Sequence, residues 1–205
     1  MWYDYNMGKH KGFTIIEVVL VLAITGLIFA MTFMALPALW ASERDTERRE
    51  DVLTFIRNLK SYQTNSSRGA LPGLTSQEET KARSGTQAVE VTGAGIKNTN
   101  ADEATWAGFY RDYFNEEYKD PDGEAYNWSV MYCVPSNEQK NTPGATCKNA
   151  DLNYMYNNSF KVNDYTLRIV LSATCDGDQP VLSANERRVA ALYHLEGSGV
   201  YCENI

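Results

Sequence analysis

The chain has 205 residues and a formal net charge of -7, with 43% hydrophobic and 12% aromatic residues, enough for one domain with a core and too few for two large ones. An acidic chain without a basic cluster gives no support to nucleic-acid binding, because phosphate contacts need grouped Lys and Arg. The apolar residues are unevenly placed: residues 18–42 contain no Asp, Glu, Lys, Arg or His, and the acidic excess lies beyond them, so the chain reads as an anchor followed by a soluble head.

Residues 1–12 form a short leader with Lys9, His10 and Lys11 beside the apolar run, while Glu43, Asp45 and Glu47 follow its far end. The positive-inside bias places the leader in the cytoplasm and the head outside. At about 1.5 Å rise per residue the uncharged run makes a helix of about 37 Å, enough for a hydrocarbon core of about 30 Å. A secretory signal has a shorter apolar core with a small-x-small cleavage site, and Leu39-Trp40-Ala41 fits that site poorly, so a retained anchor is predicted. Glu17 is the anomaly. A carboxylate at the start of a membrane helix is costly without a partner.

Beyond Pro37, Val52, Phe55, Ile56, Leu59 and Tyr62 recur at spacings of three and four, which predicts one helix continuing to about Asn65, bent but unbroken at the proline. SRGALPG, residues 67–73, ends it, and residues 74–101 read as a long surface loop. Trp106, Phe109, Tyr110, Tyr113 and Phe114 form a helical stripe that suits core packing. In YKDPDGEAYNW, residues 118–128, Asp120 before Pro121 and Gly123 two residues later predict a type I turn. Strands are predicted at 126–134, 165–174 and 188–195, with a short return at 200–202 after Gly197-Ser198-Gly199. Without crossover helices these imply an antiparallel sheet. The predicted fold class is α+β: a long N-terminal helix, membrane-spanning in one half and amphipathic in the other, packed on a small antiparallel β-sheet. Its parts are a leader (1–12), a transmembrane helix (13–42) and an extracytoplasmic head (43–205).

All four cysteines, Cys133, Cys147, Cys175 and Cys202, lie in the head, and an exported even set suggests two disulfides. No pair has the C-x2-4-C spacing of common zinc sites. Three pairings are possible. Pro135, Ser136, Asn137, Pro143 and Gly144 let the chain turn back on itself, which favours Cys133 with Cys147 and Cys175 with Cys202. Catalysis is not expected: His10 lies in the leader, His194 alternates with Leu195 in a strand, and no Ser-His-Asp, H-E-x-x-H or phosphate-loop pattern is present. Asp120, Asp122 and Glu124 are weak calcium candidates through their hard oxygens, without EF-hand spacing, and no other cofactor is expected. Asn65, Asn127 and Asn157 stand in N-x-S sequons.

KGFTIIEVVLVLAITGLI resembles the N-terminal signature of type IV pilins and of the pseudopilins of type II secretion: basic residues, Gly12, Phe13, then Glu17 four residues on, followed by an uncharged helix. The resemblance implies that prepilin peptidase cuts between Gly12 and Phe13 on the cytoplasmic side and methylates the new amine. It further implies that an inner-membrane assembly platform draws the subunit into a filament of its own copies or of mixed pilins. Glu17 would act in assembly, its carboxylate meeting the Phe13 amine of a neighbour. Tyr62-Gln63-Thr64-Asn65 with Gly69 and Pro72, and Asp120-Pro121-Asp122-Gly123 with Tyr126, are weaker echoes, the second resembling the turn near a calcium site in the major pseudopilin. The helix proline departs from the family pattern, standing at Pro37 where the family's would fall near Met34. The expected location is the cytoplasmic membrane before assembly, in a single pass, and the cell surface afterwards. A pilin, a pseudopilin and a membrane-anchored binding module that never polymerises are the readings to separate.

Overall fold

The computed structural model describes residues 12–84, 89–91, 104–114, 118–135, 142–147, 165–196 and 199–205. The chain forms two compact units, Met1–Ala41 and Ser42–Ile205. Helix α1, Ile15–Asn65, supplies residues to both and runs through Pro37 without ending.

In the first unit α1 is apolar all round, and its large side chains from Ile15 through Leu27 to Trp40 stay exposed, apart from the half-buried Leu36. No residue of its most apolar stretch is buried within the chain, and the helix is long and apolar enough to cross a membrane. The few polar side chains are turned inward on the helix itself: Thr25 Oγ1 donates to the Val21 carbonyl at 2.7 Å and Thr32 Oγ1 to the Ile28 carbonyl at 2.8 Å. A hydroxyl bonded to the preceding turn is the form that an apolar surrounding tolerates.

The second unit is built on the amphipathic part of α1, which buries Val52, Phe55, Ile56 and Leu59 on one stripe. Against it lies helix α3, Trp106–Tyr113, capped by Thr105, whose hydroxyl accepts from the Gly108 N–H at 3.2 Å. The aromatic stripe is core, as its spacing predicts: Phe55 and Tyr110 each meet Trp128 edge-on with ring centroids 5.1 Å apart. Beneath them is a five-stranded sheet in the order β1 (Val89–Val91), β2 (Asn127–Tyr132), β3 (Thr166–Leu171), β6 (Val189–Leu195), β7 (Gly199–Asn204). Trp128, Val130, Leu167, Ile169, Ala191 and Tyr193 join the helices in one core cluster. Met131, Val170, Ala190 and Leu192 form a second cluster with Cys133 and Cys147. Burial on both faces explains why β2, β3 and β6 read as apolar runs without clean alternation.

Three expectations are corrected here. The sheet is mostly antiparallel, but β2 and β3 pair in parallel, Trp128 opposite Leu167 and Val130 opposite Ile169. Residues 133–165 between them are ample for a crossover, which needs about a dozen. The strand predicted at 165–174 divides at Ser172, whose φ of 59° turns the chain out of the large sheet and into β4 (Ala173–Asp176), paired with β5 (Gln179–Leu182). The predicted loop at 74–101 contains α2, Ser76–Ser84, and β1, which pairs antiparallel with β2.

Disulfides join Cys133 to Cys147 and Cys175 to Cys202, with sequence separations of 14 and 27. In the chain-entropy description loops of these sizes contribute about 3 and about 3.6 kcal/mol by restricting the unfolded chain. Reducing both bonds in the detergent-solubilised protein should lower its melting temperature by more than about 10 °C. A midpoint unmoved by reductant, with thiol titration confirming four free cysteines, would contradict this.

Candidate processing and assembly site

Gly12, Phe13 and Glu17 lie at the start of α1, and Thr14 brings them into a defined arrangement. Thr14 is the residue before the first helical turn, and the Glu17 carboxylate reaches back to it: Oε2 accepts from the Thr14 backbone N–H and from its hydroxyl, both at 2.8 Å. The Glu17 N–H approaches Thr14 Oγ1 at 3.4 Å. This is a capping box, in which the acid satisfies donors that the first turn of a helix otherwise leaves open. Only Oε2 is used; Oε1 accepts no hydrogen bond among the described residues and remains available to a donor from outside the chain. The T-x-x-E spacing was readable in the sequence but was eclipsed by the oddity of the acid. Around Gly12 a Cβ would meet nothing within 4 Å, so the fold places no demand for glycine there. Lys9, His10 and Lys11 lie outside the described residues.

The N-terminal geometry fits the sequence comparison. Residues 7–33 match the family model for the prokaryotic N-terminal methylation motif. The chain carries a prepilin-type signal, the signature shared by type IV pilins and pseudopilins. No curated protein and no solved structure matches the chain. The prepilin signal therefore rests on the N-terminal segment, and the pilin-like α+β architecture of a long apolar helix leading into a small sheet agrees with it.

Beyond the prepilin signal, the calcium candidates fall into a cluster of another kind. Its centre is Arg48, a residue sequence reasoning passed over because its charge hides it within an apparently solvated run. Arg48 is 3% exposed and grips Asp120 with two bonds, Nε to Oδ2 at 2.7 Å and Nη2 to Oδ1 at 3.1 Å. Nη2 also meets Asp122 at 2.8 Å, and Nη1 meets Glu196 at 2.7 Å. The Tyr193 hydroxyl donates to Asp120 at 2.8 Å, and Arg44 donates to both Glu196 oxygens. The Asp120 turn itself forms as predicted, with Gly123 donating to the Asp120 carbonyl at a φ of 91° that suits glycine. Burial opposes ionisation of Asp120, but the Arg48 bonds, the Asp122 N–H and Tyr193 outweigh it and hold its carboxyl below the usual range. The Arg44 bond, with help from Arg48, lowers Glu196 to about 2. Burial instead raises Asp51, whose carboxylate accepts from Tyr126 at 2.7 Å.

Asp120 and Asp122 already share a guanidinium, Glu124 is exposed, and no group of three metal-ligating side chains occurs among the described residues. His194 is exposed on β6 between buried Tyr193 and Leu195. Of the sequons, Asn65 ends α1 with its amide donating to the Tyr113 hydroxyl, Asn127 lies in β2 with its Ser129 buried, and Asn157 is outside the described residues.

Proposed function

We propose that the protein is a structural subunit made as a membrane-anchored prepilin, cut by prepilin peptidase after Gly12, and assembled through its N-terminal helix into a surface filament. One observation carries this reading: the prepilin signal sits at the start of a helix whose most apolar, membrane-length stretch buries no residue among the described residues. Lipid can cover that surface before assembly, and equivalent helices of other copies can cover it afterwards, so membrane precursor and filament are two solutions to one hydrophobic problem. Partners implied by the signal are the peptidase, an inner-membrane assembly platform, and other copies or other pilins. A type II secretion pseudopilin is the neighbouring reading, since it shares the same signal.

Electron microscopy of sheared surface material, with peptide mass mapping, tests the proposal. Filaments containing this chain with a methylated Phe13 terminus are expected. An intact Met1 terminus in such filaments, or cut protein found only as a dispersed membrane form, would overturn it. Abundant filaments would favour a pilin, and short material dependent on a secretion system a pseudopilin. Because the space around Gly12 is open, Gly12→Val should leave the fold intact and the leader attached. Gel mobility and N-terminal sequencing of the membrane fraction check this; normal cleavage of Gly12→Val would contradict it.

A further inference from the structure

Two arginines are buried among the described residues, and the fold treats them differently. Arg48, 3% exposed, meets Asp120, Asp122 and Glu196, whereas Arg168 on β3, 4% exposed, pairs with no carboxylate among the described residues. Its Nε is buried without a hydrogen-bond partner. Burial alone pushes the Arg168 guanidinium down to about 10, which leaves it charged at neutral pH. An unpaired buried charge is costly, and an apolar side chain of similar volume would fill the same space without that cost. A partner carboxylate removes the penalty.

The sheet register places this charge. Trp128, Val130, Leu167 and Ile169 face the helices, so the residues that alternate with them, Ser129, Met131, Arg168 and Val170, occupy the opposite face. There Arg168 stands between Ser129 of β2 and Leu192 of β6, its partners in register. Towards the Cys133–Cys147 bond this face is apolar, with Met131, Val170, Ala190 and Leu192 in one cluster. Around Arg168 its character changes, since Ser129 brings a hydroxyl beside the guanidinium and Thr166 precedes it by one step on the same face. Glu90 of β1 is in register with Ser129, one strand further away.

We propose that Arg168 is a binding site for a single carboxylate group supplied from outside the chain, held by the guanidinium with the Ser129 hydroxyl beside it. A planar carboxylate can accept two parallel bonds from an arginine, and its one negative charge balances the one cation present. A phosphate dianion would bring a second charge that no other Arg or Lys of β2, β3 or β6 answers. A free small acid and an acidic side chain of another protein share this chemistry. The site is independent of the filament reading.

Thermal melts of the full-length protein in detergent test it, with sodium acetate as the small acid, N-acetyl-aspartyl N-methylamide as the side-chain mimic, and sodium chloride at matched ionic strength as the control. Acetate or the aspartyl amide should raise the wild-type midpoint by about 4 °C at about ten times its half-saturating concentration, and chloride should not. That concentration is read from the arginine Nε–H resonance that Arg168→Met removes, which should move as the ligand is added. Arg168→Met should melt at or above the unliganded wild type, because it deletes an unpaired charge, and should gain nothing from either acid. A larger gain from acetate assigns the site to a free acid, and a larger gain from the aspartyl amide assigns it to a protein side chain. A wild type indifferent to both, or an equal gain from chloride, would overturn the site. So would Arg168→Met melting more than about 5 °C below the unliganded wild type, which would show a charge already paired within the chain. An acetate response confined to Glu90→Gln would overturn it too, by making Glu90 the partner.

Discussion

Replacing Arg48 with methionine should destabilise the head by about 3–5 kcal/mol and lower its melting temperature by about 10 °C or more. The reason is the partner left behind. The Asp120 side chain is fully buried, and without the guanidinium only the Tyr193 hydroxyl and a backbone N–H answer its charge among the described residues. Arg48→Lys should fall between, since lysine keeps the charge but cannot hold Asp120 with two parallel bonds while reaching Asp122 and Glu196. Adding Asp120→Leu to Arg48→Met should recover part of the loss, because the stranded charge goes too.

The same cluster sets the acid limb of stability. Asp120 and Glu196 have carboxyls held below their unfolded values, so their contribution is fully present above the ordinary carboxylate range and disappears as pH falls toward about 2, where Glu196 titrates. Asp51, raised by burial, works the other way: protonation relieves its desolvation, which offsets part of the acid loss. Thermal melts between pH 7 and pH 2 should show a midpoint falling below about pH 4 in the wild type and a shallower fall in Arg48→Met. A variant melting within about 2 °C of the wild type at neutral pH would remove Arg48 from its central role.

How legible these features were depended on whether the signal was local. The α1 boundary at Asn65, the aromatic stripe on α3 and the turn at Asp120 each follow from periodicity or turn chemistry within a few residues. Helix α2 was legible too, for Thr75 and Glu78 make the same capping box as Thr14 and Glu17, with Oε2 of Glu78 accepting from the Thr75 N–H at 2.9 Å and hydroxyl at 2.8 Å. Its polar composition hid it, since Ala82 is its one buried side chain. The parallel pairing of β2 with β3 was not legible, because nothing in either strand specifies its neighbour's direction, and the connection between them carries no helical period. Arg48 was hidden for a related reason. In ERDTERRED, residues 43–51, one cation is buried and the rest are solvated, and only the distant Asp120 and Glu196 decide which.

Replacing Glu17 with glutamine should nearly abolish filaments, by about a hundredfold, while leaving membrane insertion and cleavage after Gly12 intact. The capping box makes glutamine the informative choice. Its amide oxygen can still accept from the Thr14 N–H and hydroxyl, as Glu17 does, so the helix start is preserved and only the charge is lost. Two roles then separate. If Glu17 serves only as a cap, Glu17→Gln should assemble normally and Thr14→Ala, which removes both hydroxyl bonds of the box while keeping the carboxylate, should assemble poorly. In the proposed filament the charge is what counts: Oε1 is free of intrachain bonds among the described residues, and cleavage creates a cation at Phe13 that a neighbour can bring to it. Apolar helices slide past one another with little preference because their attraction is non-directional, whereas a single ion pair in a low-dielectric core penalises every other register by leaving both charges unpaired. Glu17→Gln should therefore fail and Thr14→Ala should assemble, each scored by sheared-filament yield in a strain without wild-type copies. Normal filaments from Glu17→Gln would show that capping alone explains the acid, and would refute its role in setting axial register.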